Sequence, residues 1–280
     1  MTEAAKAAGT RRSAERVADS NAVAAGARAG FVARGVIYVL VGVLAVRIAF
    51  ADSGGQQADR GGALAEIAHK PFGNVLLWLL GIALIGMAVW RLSEAAFGQP
   101  GEDGDKAGKR VVAGGRCVFY GFVSYSVLAY ALGDKGSGSG STDKRTDDVT
   151  ARVLGWPGGQ WILAIAGIGV ACAGGWIAVR AVMRKFHKHL KMAEMSRNVR
   201  RAVDFVGVFG GTARGVLFGT AGGFAVAAAV QHKPGKSKGM DDTLRSFAGS
   251  PAGPWLLVVI AVGLVAFGVF SWANARWRKV

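Results

Sequence analysis

Two cysteines and four histidines in 280 residues supply too little for a disulfide framework or a structural metal site. Cys117 and Cys172 both fall inside apolar runs, where a small, weakly polar side chain serves as filling material. His187 and His189 are two apart and so occupy different faces of any helix, while His69 and His232 fall in or beside loops. No metal ligand set and no cofactor is expected from them. Charge is scarce as well: 19% of residues are charged against 51% hydrophobic, and three long stretches carry no charge at all. These run for 20 residues between Lys70 and Arg91, 27 between Arg152 and Arg180, and 30 between Arg245 and Arg276. A helix crossing a bilayer needs roughly 20. The composition excludes a disordered chain and a soluble enzyme, and points to an all-α polytopic membrane protein.

Carboxylates are missing where coupled transport would need them, inside the bilayer. Glu94 stands at the end of the second span, three residues after Arg91, and reads as an interfacial ion pair. Asp204 opens the fifth span, where an acid complements the helix dipole. Gly-x-Ser-x-Gly occurs only within the run of residues 136–141, a low-complexity linker without the strand and helix that give a nucleophile elbow its chemistry. No catalytic residue and no enzymatic activity is expected. The net charge of +16 does not read as a nucleic-acid footprint, because the bases cluster beside the apolar runs. No short apolar core with a small-residue cleavage site precedes Arg28, so no cleaved signal peptide is expected.

What the chain does have is internal repetition, which fixes architecture before any local reading. Ala33-Arg34-Gly35-Val36-Ile37-Tyr38 returns as Ala213-Arg214-Gly215-Val216-Leu217-Phe218, with a weaker copy, Gly115-Arg116-Cys117-Val118-Phe119-Tyr120, between them. A Pro-x-Gly follows each arginine, beginning at Pro71, Pro157 and Pro251, after 37, 41 and 37 residues. Nineteen residues beyond each proline stands Trp90, Trp176 or Phe270, and four before it stands Ile67, Val153 or Phe247. Each repeat reads as two spanning helices, the second started by its proline, whose missing N–H costs nothing there. The six spans are expected at about 29–50, 73–94, 111–133, 158–182, 205–230 and 254–275, with margins of roughly 2–4 residues. An even number of crossings per repeat makes the three repeats parallel. They permit a pseudo-threefold six-helix bundle or a row or arc of pairs.

The expected organisation is an N-terminal segment 1–28, repeats at 29–98, 107–183 and 205–277, and a basic connector at 184–204. That connector reads as an interfacial helix over 184–201, and the Gly/Ser loop over 133–148 as a flexible linker. Lys and Arg number 18 in the termini and the two between-repeat connections, against 10 in the three loops within repeats. The basic side is expected to be cytoplasmic, with both termini there.

These motifs resemble a bacterial, largely actinobacterial, family of integral membrane proteins of unknown function built from a two-helix domain. The similarity extends over nearly the whole chain after about residue 25. It is strongest in the first repeat, with Gly61-Gly62-Ala63-Leu64 and Lys70-Pro71-Phe72-Gly73; the middle repeat lacks the alanine before its arginine and carries the Gly/Ser insertion. The resemblance implies a multi-pass protein of the plasma (inner) membrane and no particular activity.

Two constellations remain. Gly207, Gly211, Gly215, Gly219 and Gly223 follow at intervals of four down the fifth span, and such overlapping Gly-xxx-Gly motifs let another helix approach closely. Arg34, Arg116 and Arg214 recur about one turn inside the inner end of equivalent helices. They either snorkel to lipid phosphate or cap the ends of neighbouring helices, or converge as an anion- or lipid-headgroup-binding site. Arg47 has no counterpart in the other repeats and reads as an interface anchor. The function these residues suggest is a non-catalytic membrane scaffold or partner subunit, with anionic phospholipid at the cytoplasmic face as its partner. A small anion channel or permease, and a lipid-acting enzyme, are the alternatives.

Overall fold

The computed structural model describes residues 21–50, 57–98, 106–133, 142–248 and 253–279. In chain order the helices are α1 (Asn21–Phe50), α2 (Arg60–Ala68), α3 (Gly73–Phe97), α4 (Ala107–Ala131), α5 (Thr142–Leu154), α6 (Gly159–Val182), α7 (Arg197–Gln231), α8 (Met240–Ala248) and α9 (Gly253–Trp277). Six of them, α1, α3, α4, α6, α7 and α9, are long and apolar enough to cross a membrane. No strand occurs among the described residues. We call the end where α1, α4 and α7 begin and α3, α6 and α9 finish the proximal end, and the other the distal end.

The spans pack in the order α4–α3–α1–α9–α7–α6. The most extensive contacts join helices of different repeats: α3 with α4, α6 with α7, and α9 with α1. Within repeats, α1 packs on α3 and α7 on α9, but α4 and α6 do not pack along their lengths. The contacts form an open series whose two ends, α4 and α6, both belong to the middle repeat. Each odd-numbered span leans on the even span of another repeat, so the two-helix unit seen in the sequence is not the most tightly packed unit in space.

Small residues explain these pairings, because apolar side chains alone gain little by leaving lipid for a neighbouring helix. A Cβ on Gly215 would stand 2.7 Å from the Ala178 Cβ, and one on Gly211 2.5 Å from the Ala181 Cβ, so both sit on α6. Gly207 abuts Phe186 and Phe270 instead. Gly219 carries its contact through its backbone, against Gly174, and Gly223 faces open space. The ladder expected at strict intervals of four therefore drifts around the helix. Gly222, not Gly223, meets Gly167 and Ala171, and Gly210 meets Phe267 on α9.

Each within-repeat loop contains a short helix that the apolar runs did not announce: α2, α5 and α8. Asp59 caps α2 by accepting the Gly62 N–H at 2.8 Å. The Ala58 N–H donates to Asp241 Oδ1 at 2.7 Å, tying the distal loops of the first and third repeats. The Pro-x-Gly motif works differently from the expected proline start. Gly73 and Gly159 are the first residues of α3 and α6, and the residues before them, Phe72 and Gly158, are left-handed at φ 61° and 74°. A Cβ on Gly73 would overlap the Ile67 carbonyl oxygen, and one on Gly159 that of Val153. The motif is a corner in which the spanning helix starts against the last turn of the short helix. The third copy, at residues 251–253, and the Gly/Ser run lie outside the described residues or begin at their edge, as does most of segment 1–28.

At the proximal end, residues 184–201 do not form the continuous interfacial helix expected. Two 3₁₀ turns, Lys185–His189 and Met192–Glu194, precede α7, and Arg184 is left-handed at φ 50°. The segment is clipped to the end of α9: the Lys191 N–H donates to the Trp277 carbonyl at 2.9 Å and the Lys279 N–H to the His189 carbonyl at 3.0 Å. Leu190 is fully buried beneath it. Asp204 is not at a helix start but two turns inside α7, where it meets His187 Nε2 at 2.5 Å and Arg184 at 3.7 Å.

Candidate anion site at the proximal end

The recurring Arg-Gly dipeptide divides two tasks between adjacent helical positions, which point about 100° apart. Gly35 and Gly215 are the contacts with the neighbouring spans: Gly35 against Trp272 and the Gly268 carbonyl of α9, Gly215 against α6. Arg214 is thereby turned away from α6 towards α1 and α9, whereas Arg34 reaches a different part of α9 and also α4. Arg34 donates from Nε to Ser271 Oγ of α9 at 3.1 Å and from Nη1 to the Tyr120 hydroxyl of α4 at 3.4 Å. Its guanidinium carbon lies 5.3 Å from the Phe267 ring centroid, and that of Arg214 lies 4.8 Å from the same ring. One aromatic thus holds two of the three repeated cations, by attraction between charge and ring face. Arg116 begins one turn before Tyr120, and Arg91, Glu94, Tyr120 and Arg214 are its charged or titratable neighbours. The structure brings the three sequence-predicted arginines to one region.

Two further arginines join them without having been singled out by the repeats. Arg91 is 3% exposed and paired with the buried Glu94 at 2.5 Å, stacked 4.1 Å from Trp90. The interfacial pair expected from spacing is therefore a buried one. Arg278, just past α9, lies 5.0 Å from the Trp90 ring and 5.2 Å from that of Phe31, with Arg91, Glu94, Arg34 and Arg116 as its charged neighbours. Burial, then the other arginines, lower its pKa to about 9. Repeat register could have flagged one feature of this group. The residue after each closing aromatic is Arg91, Ile177 or Ser271, so a cation in one repeat corresponds to the hydroxyl partner of Arg34 in another.

The electrostatics are one-sided. Five arginines meet, and Glu94 is the carboxylate among the main charged neighbours of Arg116 and Arg278. The Nε atoms of Arg91, Arg214 and Arg278 are buried without a hydrogen-bond partner. A buried donor left unpaired is costly, more so when charged. Capping of helix ends, the alternative role for the repeated arginines, is seen at an arginine outside the recurring motif: Arg110 donates to the Ala95 and Ala96 carbonyls at the end of α3, at 2.8 and 2.6 Å. Arg34, by contrast, is held by hydroxyls. Arg47 reaches Glu66 of α2 at 3.8 Å at the distal end. No group of three or more metal-ligating side chains occurs among the described residues.

A family described as a domain of unknown function, DUF1206, matches the chain three times, at residues 29–98, 111–184 and 209–278. An uncharacterized protein of Bacillus subtilis (strain 168) is 28% identical over 259 residues, covering 90% of this chain and 92% of its own. No solved structure matches. Three matches spanning most of the sequence, on six apolar helices arranged as parallel pairs, make this a multi-pass membrane protein that belongs to the DUF1206 family.

Proposed function

We propose that this protein is a non-catalytic scaffold of the bacterial plasma membrane, with both termini cytoplasmic, that holds a phosphate-bearing anion at its proximal arginine cluster. One observation carries the reading: five arginines gather around a single carboxylate, and three of them keep a buried Nε with no partner. An oxyanion would supply acceptors to such donors, and guanidinium–phosphate bonds are among the stronger charge-assisted ones. The excess of Lys and Arg at this end supports its cytoplasmic placement, where anionic headgroups are plentiful.

Binding is tested on protein purified in mild detergent, with inorganic phosphate and a short-chain phosphatidylglycerol as probes and thermal unfolding as the readout. Wild type should be stabilised by at least one of the two, and a variant carrying Arg34→Gln, Arg116→Gln and Arg214→Gln should not. Equal stabilisation of wild type and variant, or none of either by any phosphate-bearing probe, would remove the site.

A further inference from the structure

Resting on the anion reading, we infer that the occupant is an anionic phospholipid that enters from the side where α4 and α6 do not pack on each other, its phosphate on the arginines and its acyl chains against the exposed apolar faces of those two helices. The corresponding pairs in the other repeats, α1 with α3 and α7 with α9, close against each other, whereas α4 and α6 do not. Arg116, the exposed member of the repeated set, belongs to α4, and Arg214, on the helix that carries α6, is among its charged neighbours, so the cluster draws on both of these sides of the molecule.

The walls suit hydrocarbon better than a soluble anion. Phe119 is 56% exposed and packs edge-on against Tyr120, whose hydroxyl meets Arg34, so apolar surface begins where the cationic site ends. Phe122 continues that surface up α4. The other helix left unpacked, α6, buries only 11% of its apolar window and exposes Ile165 and Ile168. A free phosphate approaching by this route would leave water for hydrocarbon before reaching any arginine. A lipid already in the leaflet brings its phosphate at headgroup depth and its chains where apolar surface waits. Charge complementarity fixes the class: three guanidiniums at headgroup depth separate anionic from zwitterionic lipid by at least about tenfold.

The test uses the full chain in nanodiscs containing phosphatidylglycerol or phosphatidylcholine with a photoactivatable acyl chain, followed by mass spectrometric mapping of the adducts. Phosphatidylglycerol should label α4 and α6 around Phe119, Phe122, Ile165 and Ile168 at least about tenfold more than phosphatidylcholine. The triple Arg→Gln variant should lose that excess, and a triple Arg→Lys variant, with unchanged helical content, should keep part of it. If inorganic phosphate stabilises the protein while the labelling shows no headgroup preference, the anion site stands and the lipid occupant is overturned. Adducts spread evenly over all six spans, or a second copy cross-linked across α4 and α6, would overturn the lipid occupant in the same way. If neither phosphate nor lipid binds, the anion reading falls with it.

Discussion

Gly73 and Ile67 meet so closely that a Cβ on the glycine would overlap the isoleucine carbonyl oxygen, and Gly159 and Val153 repeat the relationship in the second repeat. The shared geometry is a corner: a short distal helix ends, one residue turns left-handed, and a membrane span begins at a position where only a hydrogen fits. The residues four before and two after Pro71 and Pro157 are thus two halves of one contact.

Gly73→Ala and Gly159→Ala should each lower thermal stability in detergent, by about 1–3 kcal/mol, the range for strain forced into a filled space. Gly223→Ala, where nothing lies within reach of the new methyl, should change it by less than about 0.5 kcal/mol. Equal loss at all three positions would mean that glycine is required for some reason other than this contact.

Stability should fall as the pH is lowered from about 6.5 to 4, through His189. Burial, followed by the charges of Arg278, Arg180, Arg116 and Arg91, lowers its pKa to about 4. Between those limits the unfolded chain takes up a proton that the folded chain refuses, so the unfolding free energy drops with pH and levels off below about 4. With the ring partly open to solvent, the loss attributable to this one group is on the order of 1 kcal/mol. A His189→Gln variant should lose less stability than wild type across that window in a pH series of melting curves. Superimposable pH profiles would assign the acid sensitivity to carboxylates instead.

Reporter fusions near Ser139 and Ser237 should report the external side, and fusions near Asp103, Lys191 and the C-terminus the cytoplasm. The expectation follows from the 18 basic residues in the termini and between-repeat connections against 10 in the loops within repeats. A cytoplasmic signal from the fusion at Ser139 would contradict three parallel pairs.

The sequence by itself determined the number of spans, their parallel pairing and the recurrence of Arg34, Arg116 and Arg214. Those properties are local or periodic: bilayer thickness sets the run length, and duplication preserves register. It also showed that glycine would mediate close approach in α7. It did not show which glycines, because a straight helix of 3.6 residues per turn carries a four-residue ladder steadily around its axis, leaving Gly223 unfaced and bringing Gly222 and Gly210 into contact. The short distal helices were hidden because each is brief and mixed in composition, and becomes stable only by resting on spans; Leu64 and Leu244 are fully buried there. Tertiary structure alone decided that the strongest pairings cross between repeats, that α4 and α6 do not pack on each other, and that Arg91 and Arg278 join the repeated arginines. In a membrane, apolar sequence says only that a helix is inserted. Which helices meet is set by small residues and by the few polar groups that must find one another.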